Sequence, residues 1–123
     1  MRILVVEDDG AVRRVASYML AALGHEVVTA SNGLEGVGIF RSDPQRIDVV
    51  VTDLRMPVMD GYEAIRCIRD VSPNARIVSM SGCSPEGRPS GTVFLPKPFT
   101  LEMVRDCVDR ASRARPCAPT MAA

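Results

Sequence analysis

Apolar residues along this chain fall into five short runs, over residues 3–6, 26–30, 48–52, 76–80 and 92–95. The segments between most of them carry apolar residues at helical spacing. Val49, Val50 and Val51 have no polar residue alternating with them, so the third run predicts a strand covered on both faces. Between the first two runs, Val12, Val15, Ala16, Met19, Leu20 and Leu23 recur at three- and four-residue intervals. That spacing predicts a helix over 11–23, and Gly24 supplies its stop. Asn32 and Glu35 form a capping pattern that opens a second helix, with Glu35 reaching back. Asp60 and Glu63 repeat it for a helix to about residue 70, and Thr100 caps a last helix to about residue 113.

Strand and helix in strict alternation imply an α/β fold, a doubly wound, five-stranded parallel sheet with right-handed crossovers. In such sheets the binding crevice lies beyond the carboxyl ends of the strands, where strand order reverses. Polar residues collect at those ends. Glu7, Asp8 and Asp9 follow the first run, Asp53 the third, Ser81 the fourth and Lys97 the fifth.

Composition narrows the function classes. The chain has 123 residues, 46% hydrophobic and 24% charged, with zero formal net charge. One domain over 1–114 is expected, with a flexible tail over 115–123 containing two prolines. The charge balance argues against a nucleic-acid partner. No apolar run approaches the roughly 20 residues that span a bilayer, and the first strand is followed at once by acid, unlike a signal peptide. A cytoplasmic protein is expected. The four cysteines, Cys67, Cys83, Cys107 and Cys117, lie 16, 24 and 10 residues apart, and His25 is the only histidine. Zinc sites use tighter ligand pairs, so reduced thiols are expected, with Cys67 and Cys107 as small buried hydrophobes.

Four motifs in order, VVEDD, DLRMPVMDG, MSG and PKPF, resemble the response-regulator receiver domain of two-component signalling, over residues 2–113. The resemblance implies the flavodoxin-like strand order 2-1-3-4-5, with the first and third strands adjacent. Glu7, Asp8 and Asp53 then crowd together, which is unfavourable unless a cation neutralises them. Magnesium suits such a site, being hard, octahedral and bound by one or two carboxylates. The resemblance implies Asp8, Asp53 and the Arg55 backbone carbonyl as Mg2+ ligands, with Glu7 acting through water. Asp53 is the implied phosphoacceptor, taking a phosphoryl group from phosphohistidine on a sensor histidine kinase or phosphotransfer protein. Lys97 and Ser81 are implied to stabilise the phosphoryl oxygens, and a cis peptide is implied between Lys97 and Pro98. Ser81 and Phe94 are the implied switch pair. Phe94 lacks the hydroxyl of the commoner tyrosine, so its inward state gains burial without a hydrogen bond. Arg55 and Cys83, each two residues past a site residue, border the path of attacking water and are implied to tune phosphoryl lifetime.

Each residue also has a plainer reading. Asp9 and Asp60 read as helix caps, Glu7 as a solvated strand end, Lys97 as a surface lysine and Phe94 as core. Ser79 competes with Ser81 because both have the same strand parity; the following glycine and the nearby strand end favour Ser81. The sequence also departs from the family. The twelve residues between Ser81 and Phe94 include Gly82, Gly87, Gly91, Pro85 and Pro89, where the family has a longer stretch with a fourth helix. That composition breaks helices, yet about a dozen residues still suffice for a parallel crossover. A missing or single-turn fourth helix is therefore expected. That helix carries the family's commonest output and pairing face. Output to an unknown downstream protein is accordingly expected through the first or last helix, from a monomer or weak dimer.

No enzymatic turnover is expected beyond Mg2+-dependent self-phosphorylation and autodephosphorylation. A haloacid-dehalogenase-type phosphohydrolase would want a general acid where Arg55 stands, and a cap domain. The other alternative is a receiver-like module that binds partners without phosphorylation. Met1 directly before the first strand and only a tail after the last helix make a stand-alone receiver the expectation, with a piece of a hybrid kinase as the alternative.

Overall fold

The computed structural model describes residues 1–83 and 87–113. The expected tail over 115–123 lies outside them. Five strands, β1 (Arg2–Val6), β2 (Glu26–Ala30), β3 (Val49–Asp53), β4 (Ile77–Ser81) and β5 (Val93–Pro96), form one parallel sheet in the order β2-β1-β3-β4-β5. The helices are α1 (Gly10–Ala22), α2 (Gly33–Ser42), α3 (Gly61–Val71) and α4 (Leu101–Arg113), with a single 3-10 turn at Pro44–Arg46. The expected fold class and strand order are both present. The last three strands each run one residue further than the hydrophobic pattern indicates, so Asp53 and Ser81 are the final residues of their strands.

The sheet has a core on each face. Ile3, Val5, Val49, Val51, Val78 and Met80 pack under α1 and α4 through Ala16, Leu20, Val104 and Val108. Leu4, Val6, Val50 and Ile77 pack under α2 and α3 through Val37, Phe40, Ile65 and Ile68. β3 is buried along its whole length, as its unbroken valines require. Asp9, Asn32, Asp60 and Thr100 accept hydrogen bonds from the first-turn N–H groups of the four helices. Glu35 does reach back, but one residue further than a capping box requires. Its carboxylate accepts from the Ser31 N–H and hydroxyl rather than from Asn32. Gly24 closes α1 with φ +92°, as expected of a helix stop.

No α-helix joins β4 to β5 among the described residues, in agreement with the glycines and prolines there. Two side chains of α3 hold the crossover instead. The Tyr62 hydroxyl donates to the Gly87 carbonyl at 2.6 Å, and an Arg69 guanidinium N–H donates to the Ser90 carbonyl at 2.7 Å. The sheet beneath is correspondingly polar. Ser79 and Thr92 are buried and share a hydrogen bond of 2.9 Å, and Thr92 donates on to the Pro89 carbonyl. Paired hydroxyls can lie under a loop, where a packed helix would want apolar contact.

Tyr62 thereby gains a structural role that the sequence did not suggest. Tyr62→Phe should lower the unfolding free energy in urea by about 1 kcal/mol, the net value of one hydrogen bond. An unchanged midpoint and slope would remove Tyr62 from the account of how the crossover is held.

Candidate functional site

Strand register brings the polar residues together. Glu7 follows β1 directly, Asp53 ends β3, Ser81 ends β4 and Lys97 follows β5. Because β1 lies between β2 and β3, strand order reverses between β1 and β3, and the crevice falls there. The Lys97 ammonium lies 2.7 Å from Glu7 Oε1 and 3.2 Å from Asp53 Oδ1. Glu7, Asp8 and Asp53 each offer a carboxylate oxygen within 4.8 Å of the others. Glu7 is 1% exposed and Asp53 6%, whereas Asp8 is exposed. Glu7 is therefore no solvated strand end, and Lys97 is no free surface lysine.

Each carboxylate is held differently. Glu7 accepts from Lys97 through Oε1 and from the Asp9 N–H through Oε2. Asp53 Oδ1 accepts from the Leu54 N–H at 2.9 Å and faces the ammonium. Asp53 Oδ2 and the Asp8 carboxylate accept no hydrogen bond among the described residues. Burial pushes the Glu7 carboxyl above the ordinary range, and the Asp53 charge adds to this, against the hydrogen bonds from Lys97 and Asp9. Burial would lower the Lys97 ammonium, but Glu7 and Asp53 outweigh it and hold the group above its ordinary value. Oxygen donors this close, with negative charge only partly offset, fit a hard divalent cation such as Mg2+.

The turn from β3 into α3 has two features that the sequence did not reveal. A Cβ on Gly61 would stand 2.1 Å from the Asp53 carbonyl oxygen, so only glycine lets α3 begin this close to the end of β3. The Asp60-Gly61 pair reads as a cap and turn signal, and its contact with Asp53 becomes visible only in three dimensions. Val58 has φ +73°, and the Met59 N–H donates to the Pro57 carbonyl across it, which makes a γ-turn. A β-branched residue is strained there. The Lys97–Pro98 peptide is cis, as the resemblance implied.

The remaining candidates separate clearly. The Ser81 hydroxyl accepts from the Cys83 N–H at 3.0 Å at the end of β4, while Ser79 is engaged with Thr92. Ser81 is thus the hydroxyl at the crevice. Phe94 is half-buried on β5, in register with Ser79 and neither core nor open surface. Arg55 and Cys83 are exposed. Asp9 and Asp60 act as helix caps. Cys107 is buried, Cys67 is half-buried, and both thiols are free.

Comparison with known proteins agrees with this geometry. Residues 3–109 match the model of the response regulator receiver domain, and the chain belongs to that family. It is 38% identical over 108 residues to the transcription factor SKN7 of Chaetomium thermophilum, covering 82% of this chain and 14% of that protein. The chain spans less than half the length of each of the first eight curated relatives it matches. Among solved structures, the receiver domain of the hybrid histidine kinase CckA is 34% identical with a TM-score of 0.81, covering 92% of this chain and 100% of that one. The receiver domain of a Pseudomonas aeruginosa sensor histidine kinase, solved with a magnesium ion coordinated in its active-site cleft, is 28% identical with a TM-score of 0.80. It covers 90% of this chain and 96% of that one. No helix among the described residues is long and apolar enough to cross a membrane.

The raised Glu7 value sets a pH dependence. A carboxyl whose folded pKa exceeds its unfolded one stabilises fully below the unfolded value, and that contribution is lost as pH rises through the folded value. In EDTA, Glu7→Gln should therefore be more stable than the wild type at about pH 8, with the gap closing toward about pH 5. Denaturation midpoints that coincide across that range would refute this account of Glu7.

Proposed function

We propose that this chain is a phosphoacceptor switch in which Asp53 accepts a phosphoryl group from a phosphohistidine. The observation that carries the reading is the Asp53 carboxylate, nearly buried at the switch point and flanked by Lys97, Glu7 and Asp8. With Oδ1 engaged by Leu54 and Lys97, Oδ2 is the oxygen left to attack phosphorus. The new bond is O–P, the phosphorus–nitrogen bond of the donor breaks, and the imidazole takes up a proton. Asp8, Asp53 and the Arg55 carbonyl would hold Mg2+, with Glu7 acting through water. The ion would supply a counter-charge for the phosphoryl oxygens. The Lys97 ammonium neutralises the same charge from the side of β5, and the Ser81 hydroxyl donates to it.

A phosphohistidine-bearing kinase or phosphotransfer protein has a place to rest. Beside the ammonium lies an open apolar cavity of about 390 Å3 lined by Ala11, Val12, Val15, Lys97, Pro98 and Phe99. Phosphorylation would bias Ser81 and Phe94 between two conformations, and a downstream protein need only prefer one. The chemistry ends with self-phosphorylation and autodephosphorylation, without turnover of a separate substrate.

Incubation with acetyl phosphate should add one phosphoryl group to the intact mass, only with Mg2+ present and not in Asp53→Asn. No gain in the wild type would leave a receiver fold that binds partners without phosphorylation. Arg55 and Cys83 border the water path, and the exposed Arg55 guanidinium can shield the phosphoryl group. Arg55→Asn should accordingly change the decay rate of the phosphorylated protein after donor removal. Superimposable decay curves would exclude the role of Arg55.

A further inference from the structure

The peptide that leads into Asp8 is held by one side chain outside the carboxylate cluster. The last hydrogen bond between β1 and β2 is donated by the Glu7 N–H to the Ala30 carbonyl at 3.1 Å. The Glu7 carbonyl, on the peptide joining Glu7 to Asp8, instead accepts from an Arg13 guanidinium N–H at 2.8 Å, in a partly buried contact. Arg13 stands on the second turn of α1, and Asp9 caps that helix through the Ala11 and Val12 N–H groups. The three-residue turn is therefore fixed from both sides. Lys97 and the Asp9 N–H hold the Glu7 side chain, Asp9 is tied to the helix, and Arg13 holds the peptide between Glu7 and Asp8.

Asp8 differs from its two partners. Glu7 and Asp53 accept protein hydrogen bonds, whereas the exposed Asp8 carboxylate accepts none among the described residues. Its oxygen nevertheless lies within 4.8 Å of those of Glu7 and Asp53. The backbone at Asp8 sets the direction of its Cα–Cβ bond, and with it the rotamers from which the carboxylate can reach the cluster. Arg13 also lies close enough to Glu35 to help, after the two Ser31 hydrogen bonds, hold that carboxyl below its ordinary range. The contact that places the guanidinium is its hydrogen bond to the Glu7 carbonyl.

We infer that Arg13 is a positioning residue for cation binding: by fixing the Glu7–Asp8 peptide, it aims the Asp8 carboxylate into the site. The inference rests on the metal-binding reading of Glu7, Asp8 and Asp53, and goes beyond it in assigning a role to a residue that touches none of the three carboxylates. Charge and position predict opposite signs. A cation beside a cation site repels the ion, so removing it should tighten Mg2+ binding if Arg13 acts only through charge. If Arg13 acts by position, removal loosens the turn and weakens binding. Loss of groups that orient metal ligands costs on the order of tenfold or more in affinity.

The test is calorimetric titration of the full chain with MgCl2, without any phosphodonor, for wild type, Arg13→Met and Arg13→Lys. Thermal unfolding in EDTA is measured in parallel. Arg13→Met keeps the apolar stem and loses the donors, and should weaken Mg2+ binding on the order of tenfold. Arg13→Lys, which retains a donor, should recover part of that loss. Unchanged or tighter binding by Arg13→Met overturns the inference, as does a Lys variant as weak as the Met variant. A lowered unfolding temperature with unchanged affinity overturns it too, because Arg13 would then be merely structural. Failure of the wild type to bind Mg2+ at millimolar concentration would sink the metal reading itself, a result distinct from any of these.

Discussion

The ion pair from Lys97 to Glu7 and Asp53 is the interaction around which the crevice is organised. β1 and β5 are separated by two strands, so their ends lie about 14 Å apart at the usual spacing. The Lys97 and Glu7 side chains reach toward each other across that gap, and the ammonium between them ties the end of β5 to those of β1 and β3. Glu7 and Asp53 stand near the boundary of the two cores, almost without solvent. In that setting their mutual repulsion is large, and one ammonium offsets only part of it. Burial raises the Glu7 carboxyl above its ordinary range, and the Asp53 charge adds a smaller push in the same direction. A site of this kind has a standing attraction for positive charge.

The crossover between β4 and β5 follows a different logic. On this face of the sheet β4 carries Ile77, then Ser79 and Ser81, and β5 carries Phe94 in register with Ser79. The apolar cover of α2 and α3 ends at Ile77, and beyond it the hydroxyls of Ser79 and Thr92 satisfy each other. Two α3 side chains, Tyr62 and Arg69, hold the crossover by its backbone carbonyls. Such attachments are directional and few, whereas helix packing spreads its stabilisation over many contacts. Gly87 and Ser90 are therefore held at points rather than along a face.

Much of this was legible in the sequence, for identifiable reasons. Period and breakers gave the alternation of elements, because β-branched runs such as Val49–Val51 and the stripe from Val12 to Leu23 have few other readings. Four motifs at four strand ends located Glu7, Asp8, Asp53, Ser81 and Lys97. The lack of a helix among the described crossover residues was legible too, since glycine and proline at that density cannot propagate one. Several features were not. Gly61 looks like any glycine after a capping aspartate until the Asp53 carbonyl is seen where its Cβ would stand. Arg13 looks like one of two surface arginines on a helix, because its acceptor is a backbone carbonyl and carbonyls leave no mark in a sequence. The strained Val58 contradicts local preference, so no propensity argument could find it.

Both the charge imbalance and the strain are local, and both adjoin Asp53. They persist because the surroundings over-determine the geometry. β3 is the central strand and β1 its interior neighbour, their core residues are within a few percent of complete burial, and the register between them is fixed on both faces. A one-residue slip of β3 would move Val51 from one core to the other and Asp53 out of reach of Lys97. The folded sheet thus holds three carboxylates closer than they would stand by themselves, and it holds the β3–α3 turn in a conformation that valine disfavours. Relief of that stored repulsion favours whatever cation enters. The same cores that make the sheet stable are therefore what hold the carboxylates and Val58 in an arrangement they would not adopt alone.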